Sequence, residues 1–102
     1  MSAHLLAHVI GKYLEKLDTD IDCDDENEHV VTVNPYRIEC GFKVVSDKGK
    51  DKIDTIAVCV QNEKRTIAAY LFDCNTYLYK LLHDDGSLTA NQVEKIDLAL
   101  NH

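Results

Sequence analysis

Hydrophobic residues recur along this chain with two different periods. In residues 3–17, AHLLAHVIGKYLEKL, the residues Leu5, Leu6, Val9, Ile10, Tyr13, Leu14 and Leu17 return with helical spacing. His4, His8, Gly11 and Glu15 fall on the opposite face. The pattern predicts an amphipathic helix, with Ser2 able to cap its start. Beyond residue 28 the period drops to two. HVVTV (29–33) is short and β-branched, and Asn34-Pro35 then breaks the chain, because proline cannot donate to a β-ladder. In YRIECGFKVV (36–45), Tyr36, Ile38, Cys40, Phe42 and Val44 alternate with Arg37, Glu39 and Lys43. Two further strands are predicted over 53–61 and 65–72, joined by the tight turn 62–64. Such short connections imply an antiparallel meander, since parallel strands need long crossovers.

The spacing of Tyr77, Leu78, Leu81 and Leu82 (i, i+1, i+4, i+5) predicts a short helix over 75–83, with Gly86 past its end. The last helix carries the strongest start signal in the chain. Thr89 and Gln92 form a capping box, and Leu88 with Val93 can staple it. The expected architecture is a single α+β domain over 1–102. It has a four-stranded antiparallel meander sheet, with an N-terminal helix and two C-terminal helices packed on one face.

The second sheet face adds a functional clue. On strand 36–45 it is polar. Counting parity along the next two strands places Ala57 and Cys59, then Ala68, Tyr70 and Phe72, on it. That face is too apolar to be fully solvated. A chain segment folded across it, a homodimer interface or a shallow ligand groove around Ala57, Ala68 and Tyr70 would each account for it.

Charge changes the picture further. The chain has 18 acidic and 11 basic residues and a net charge of −7. Seven of the acids lie in DTDIDCDDENE (18–28), so the remainder is electroneutral. Without a basic stripe to displace counterions, nucleic acid is not an expected partner. The acidic stretch imitates a calcium loop at Asp18, Asp20, Asp22 and Asp24. However, Cys23 stands where the sharp turn needs glycine, and His29 where a bidentate glutamate is required. Read as an extended segment, it shows a row of carboxylates on one side, suited to solvation or to docking a basic surface.

Other chemistry is sparse. Cys23, Cys40, Cys59 and Cys74 show no zinc-type spacing, and no metal or cofactor is expected. His4 and His8 form an i, i+4 pair without a third ligand nearby. Cys74, at the start of the predicted helix 75–83, is the best placed reactive thiol. The serines lie in no nucleophile elbow, and the glycines form no phosphate cradle. No signal peptide or membrane-length apolar run is visible, so a cytoplasmic protein with reduced thiols is expected.

The leading expectation is therefore a small cytosolic protein-interaction module of the inhibitor or immunity type, not an enzyme. It would present Asp20, Asp22, Asp24 and Asp25 to a partner with a basic surface. The alternative is a homodimeric small-ligand binder or minor enzyme that uses the second sheet face.

Overall fold

A computed structural model describes residues 2–18 and 28–102. The elements run α1 (Ser2–Asp18), β1 (Glu28–Val33), β2 (Tyr36–Asp47), β3 (Lys50–Asn62), β4 (Arg65–Asp73), β5 (Tyr79–Asp84) and α2 (Ala90–Asn101). The strands form one antiparallel sheet in the order β1-β2-β3-β4-β5. The α+β class and the meander agree with the sequence pattern. The number of elements does not: the sheet has five strands, and two helices are described instead of three.

The difference lies in residues 75–83, where the expected helix is a turn followed by β5. Tyr77 has a left-handed backbone (φ 57°), which ends any helix there. The turn is closed by local bonds: Asn75 N donates to Asp73 Oδ1 (2.8 Å) and Leu78 N to Thr76 Oγ1 (3.2 Å). β5 then satisfies the free edge of β4, and its Tyr79 and Leu81 pack against the core. The helical spacing had combined turn residues with residues from both sides of a strand. Gly86 caps no helix. It has φ 80° in the turn after β5, where its N–H donates to Asp84 Oδ1 (2.9 Å).

The core lies between one sheet face and the two helices. From β2 it takes Tyr36, Ile38, Cys40 and Phe42, as the alternation predicts, and from β3 Ile53, Ile56, Val58 and Val60. From α1 it takes Ala3, Leu6, Ala7, Val9, Ile10 and Leu14, while Leu5 remains 50% exposed. Full burial of each large aliphatic side chain stabilises the fold by about 1.5–3 kcal/mol.

Polar contacts set how α1 crosses the sheet. Near its start, Tyr70 Oη donates to the Ala3 carbonyl (2.5 Å), and His4 Nδ1 meets Tyr79 Oη of β5 (2.7 Å). Near its end, Tyr13 Oη meets His29 Nε2 of β1 (2.8 Å). The helix therefore runs from the β5 side to the β1 side. α2 lies beside it, with Asn101 Nδ2 donating to the Val9 carbonyl (3.2 Å). The Thr89–Gln92 capping box forms as expected, and Leu88 and Val93 are both buried.

Candidate functional site

Both helices cover the same side of the sheet, and no described element covers the other side. Its composition follows from the register, which can be read rung by rung from β1 to β5. One rung is Glu28, Gly41, Ala57, Leu71 and Lys80. The next is Val30, Glu39, Cys59, Ala69 and His83. Beyond the Glu28 rung lie Lys43, Thr55 and Asp73; beyond the Val30 rung lie Thr32, Arg37, Gln61 and Thr66.

The Glu28 rung is apolar in the middle and charged at both ends, whereas the Val30 rung begins with an apolar residue and carries the Glu39 carboxylate one strand in, beside Cys59 and Ala69. Val30 is 42% exposed, Leu71 37% and Leu82 54%, around Gly41, Ala57, Cys59 and Ala69. Two shallow hollows result. One, of about 290 Å³, lies over Val30, Gly41, Ala57, Cys59, Ala69 and Leu82. The other, of about 350 Å³, is bordered by Thr55, Leu71, Asp73, Leu78 and Lys80.

Among the charged groups of this face, Arg37 pairs with Glu39. Glu28, Lys43, Asp73 and Lys80 have no ion-pair partner among the described residues. Cys59 Sγ lies 3.6 Å from Thr66 Oγ1.

This open face is not composed as the parity count predicts. Ala57 is on it and exposed, but Ala68 and Tyr70 are fully buried on the helix side, with Phe72. In their place Ala69 and Leu71 line the open face. A register shift explains the correction: Val60 pairs with Ala68, while Gln61 pairs with Thr66, so Ile67 is an extra residue in β4. The bulge lets Ile67 and Ala68 both turn inward. It also sends the larger aromatic surface of Tyr70 and Phe72 into the core, where the Tyr70 hydroxyl finds a carbonyl. Both parities of RTIAAYLF are apolar, so alternation alone does not choose between them.

Asp20, Asp22, Asp24 and Asp25 lie outside the described residues. Glu28, which ends the acidic stretch, begins β1 and borders the open face.

The other candidates have structural occupations. His4 bonds Tyr79, and the His8 ring packs edge-on against the same tyrosine at 5.7 Å. Among the described residues, no three His, Cys, Asp or Glu side chains converge to hold a metal. Cys74 lies in the turn between β4 and β5 and not at the start of a helix, so the dipole expected to activate it is missing. Cys40 is buried in the core, and burial pushes its thiol up to about 12, making it a poor nucleophile. No described helix is long and apolar enough to cross a membrane. No protein-family model, curated protein or solved structure matches this chain.

Proposed function

We propose that this protein is a small interaction module that works by binding another protein chain through the open face of its sheet. One observation carries the reading. The sheet has a helix-covered face and one that no described element covers, and the latter exposes Val30, Leu71 and Leu82 around the small residues Gly41, Ala57, Cys59 and Ala69. Exposed apolar surface of this kind marks contact sites. Both hollows are shallow and open to solvent, and the one over Gly41, Ala57, Cys59 and Ala69 is mainly apolar, which favours a protein partner over a small molecule. The carboxylates of 18–28, including Asp20, Asp22, Asp24 and Asp25, belong to the same reading. They would speed the approach of a basic surface and make it sensitive to salt.

Cys59 reports on this surface. Maleimide labelling in an extract of the native cells, read by peptide mass spectrometry, should find Cys59 protected, and Leu71→Arg should release it. Labelling of Cys59 at the rate of an open thiol in both proteins would refute the reading. With a basic partner, replacing Asp20, Asp22, Asp24 and Asp25 together by Asn should weaken the protection and remove its salt dependence; with a partner of like charge it should strengthen the protection. Unchanged protection and salt response would leave the segment a solvated connection.

A further inference from the structure

We propose that the occupant of the open face is a second copy of this chain, docked face to face about a two-fold axis that runs parallel to the strands along β3. The proposal rests on the reading of that face as a contact surface and names what covers it; it makes no use of steering by residues 18–28, because a second copy carries the same net charge of −7.

A two-fold parallel to the strands leaves every residue at its own height along the sheet and reverses the strand order. β1 then lies over β5 of the second copy, β2 over β4, and β3 over itself. The rungs decide what meets. Gly41 lies opposite Leu71, so the largest apolar side chain of the Glu28 rung faces its glycine. Ala57 and Cys59 lie at the axis, opposite their own copies, where close approach needs small residues. Val30 faces the Leu82–His83 segment. Glu28 faces Lys80, and Lys43 faces Asp73; these four charges have no ion-pair partner among the described residues of their own chain.

Each off-axis pair occurs twice in the dimer. The other in-plane axis, across the strands, does worse. It reverses the rungs and sets Lys43 opposite Arg37, and Lys80 opposite His83. Two aligned sheets pack rotated by about 30°. That rotation displaces partners least at the axis, where the small residues are, and most at the margins, where flexible Lys and Glu side chains can follow it.

Five strands spaced about 4.8 Å apart, over a height of about 20 Å, give a flat contact of roughly 500 Å² per copy. The total of about 1,000 Å² is at the lower bound for a specific interface. The dimer should therefore be concentration-dependent, dissociating in the micromolar range.

Light scattering and sedimentation of the purified chain across a hundredfold concentration range test this. Wild type should pass from monomer to dimer, and Leu71→Arg should stay monomeric with an unchanged far-ultraviolet spectrum. Lys80→Glu, which sets carboxylates face to face at both ends, should raise the dimer dissociation constant at least tenfold. Adding Glu28→Lys should restore it to within about threefold. In one chain these two residues are four strand spacings apart, about 19 Å, beyond the screening length of about 8 Å, so the rescue can arise only between copies. Cys59 of the purified wild type should resist maleimide at concentrations where the dimer forms and react as an open thiol on dilution and in Leu71→Arg.

A chain that stays monomeric at every concentration overturns the dimer, as does a dimer indifferent to both Leu71→Arg and Lys80→Glu. If that purified monomer still shows protected Cys59 in the cell extract, the contact-surface reading stands and the second copy is excluded as its occupant. If Cys59 is open in both settings, both fall.

Discussion

Tyr70 and Leu71 are neighbours on β4, and their side chains leave the sheet in opposite directions. Tyr70 is fully buried, its ring 5.9 Å from Phe72 and its hydroxyl on the Ala3 carbonyl. Leu71 is 37% exposed above Ala57, on a face that no described element covers. The two faces of the sheet differ in the same way. The helix-covered face is built from large side chains, and its packing holds the fold together. The open face has small residues at its centre and charges around them, which adds little to folding and leaves room for another surface. A residue's hydrophobicity therefore says less about its role here than the face on which it lies.

Substitutions on the two sides of the sheet should have unequal effects. Tyr70→Ala should cost about 3–5 kcal/mol in denaturant unfolding, since the cavity and the lost transfer energy add. Leu71→Ala, measured at dilutions where chains do not associate, should stay within about 0.5 kcal/mol of wild type. Similar losses at both positions would show that the open face is also part of the core.

Alkaline pH should distinguish the faces next. Tyr70 is pushed above its usual range, first by burial, then by the charges of Asp84 and Tyr79; Cys40 is pushed up to about 12 by burial. Both must remain neutral in the folded state. Their contribution is thus complete below the pH at which the unfolded groups ionise, 9.0 for the thiol and 10.0 for the phenol. It is lost as pH rises from there toward the folded values. Each group should steepen the fall by about 1.4 kcal/mol per pH unit. Tyr70→Phe should remove one such proton from the slope between pH 10 and 12, at a cost near neutrality of about 1 kcal/mol for the hydrogen bond. An unchanged alkaline slope would place the phenol in contact with water.

The cover itself can be loosened or tightened. Thr89→Ala removes the α2 capping box and should cost about 1 kcal/mol. Gly11→Ala should gain up to about 1 kcal/mol, because glycine is a poor helix residue. The added methyl would meet Phe72 Cε1 at an ordinary 3.6 Å. Neither change should alter Cys59 labelling; an effect there would mean that the helix side and the open face are coupled.

Much of the fold is legible in the sequence because single patterns fix it. The alternation of 36–45 is polar on one side only, so its inward face is unambiguous, and the structure keeps it. The capping box at Thr89 is a local bond pattern that needs no tertiary partner. Legibility fails where a pattern fits two structures. Tyr77, Leu78, Leu81 and Leu82 suit a helix by spacing, yet β4 offers an unpaired edge that a strand can satisfy. In RTIAAYLF both parities are apolar, so the position of the bulge at Ile67, and with it the composition of the open face, is undetermined by alternation. Only Ala57 of the anticipated groove residues is on that face, while the signal for Leu71, Ala69 and Leu82 depended on the register.

By itself the sequence determined the α+β class, the antiparallel meander and the confinement of the net charge to 18–28, because period, turn chemistry and composition are local properties. The tertiary structure decided the fifth strand, the direction of Tyr70 and Leu71, and the rungs that bring Glu28, Gly41, Ala57, Leu71 and Lys80 into line. Those depend on which backbone edge needs a partner and which aromatic surface gains most from burial, and both are settled only when the strands and helices meet.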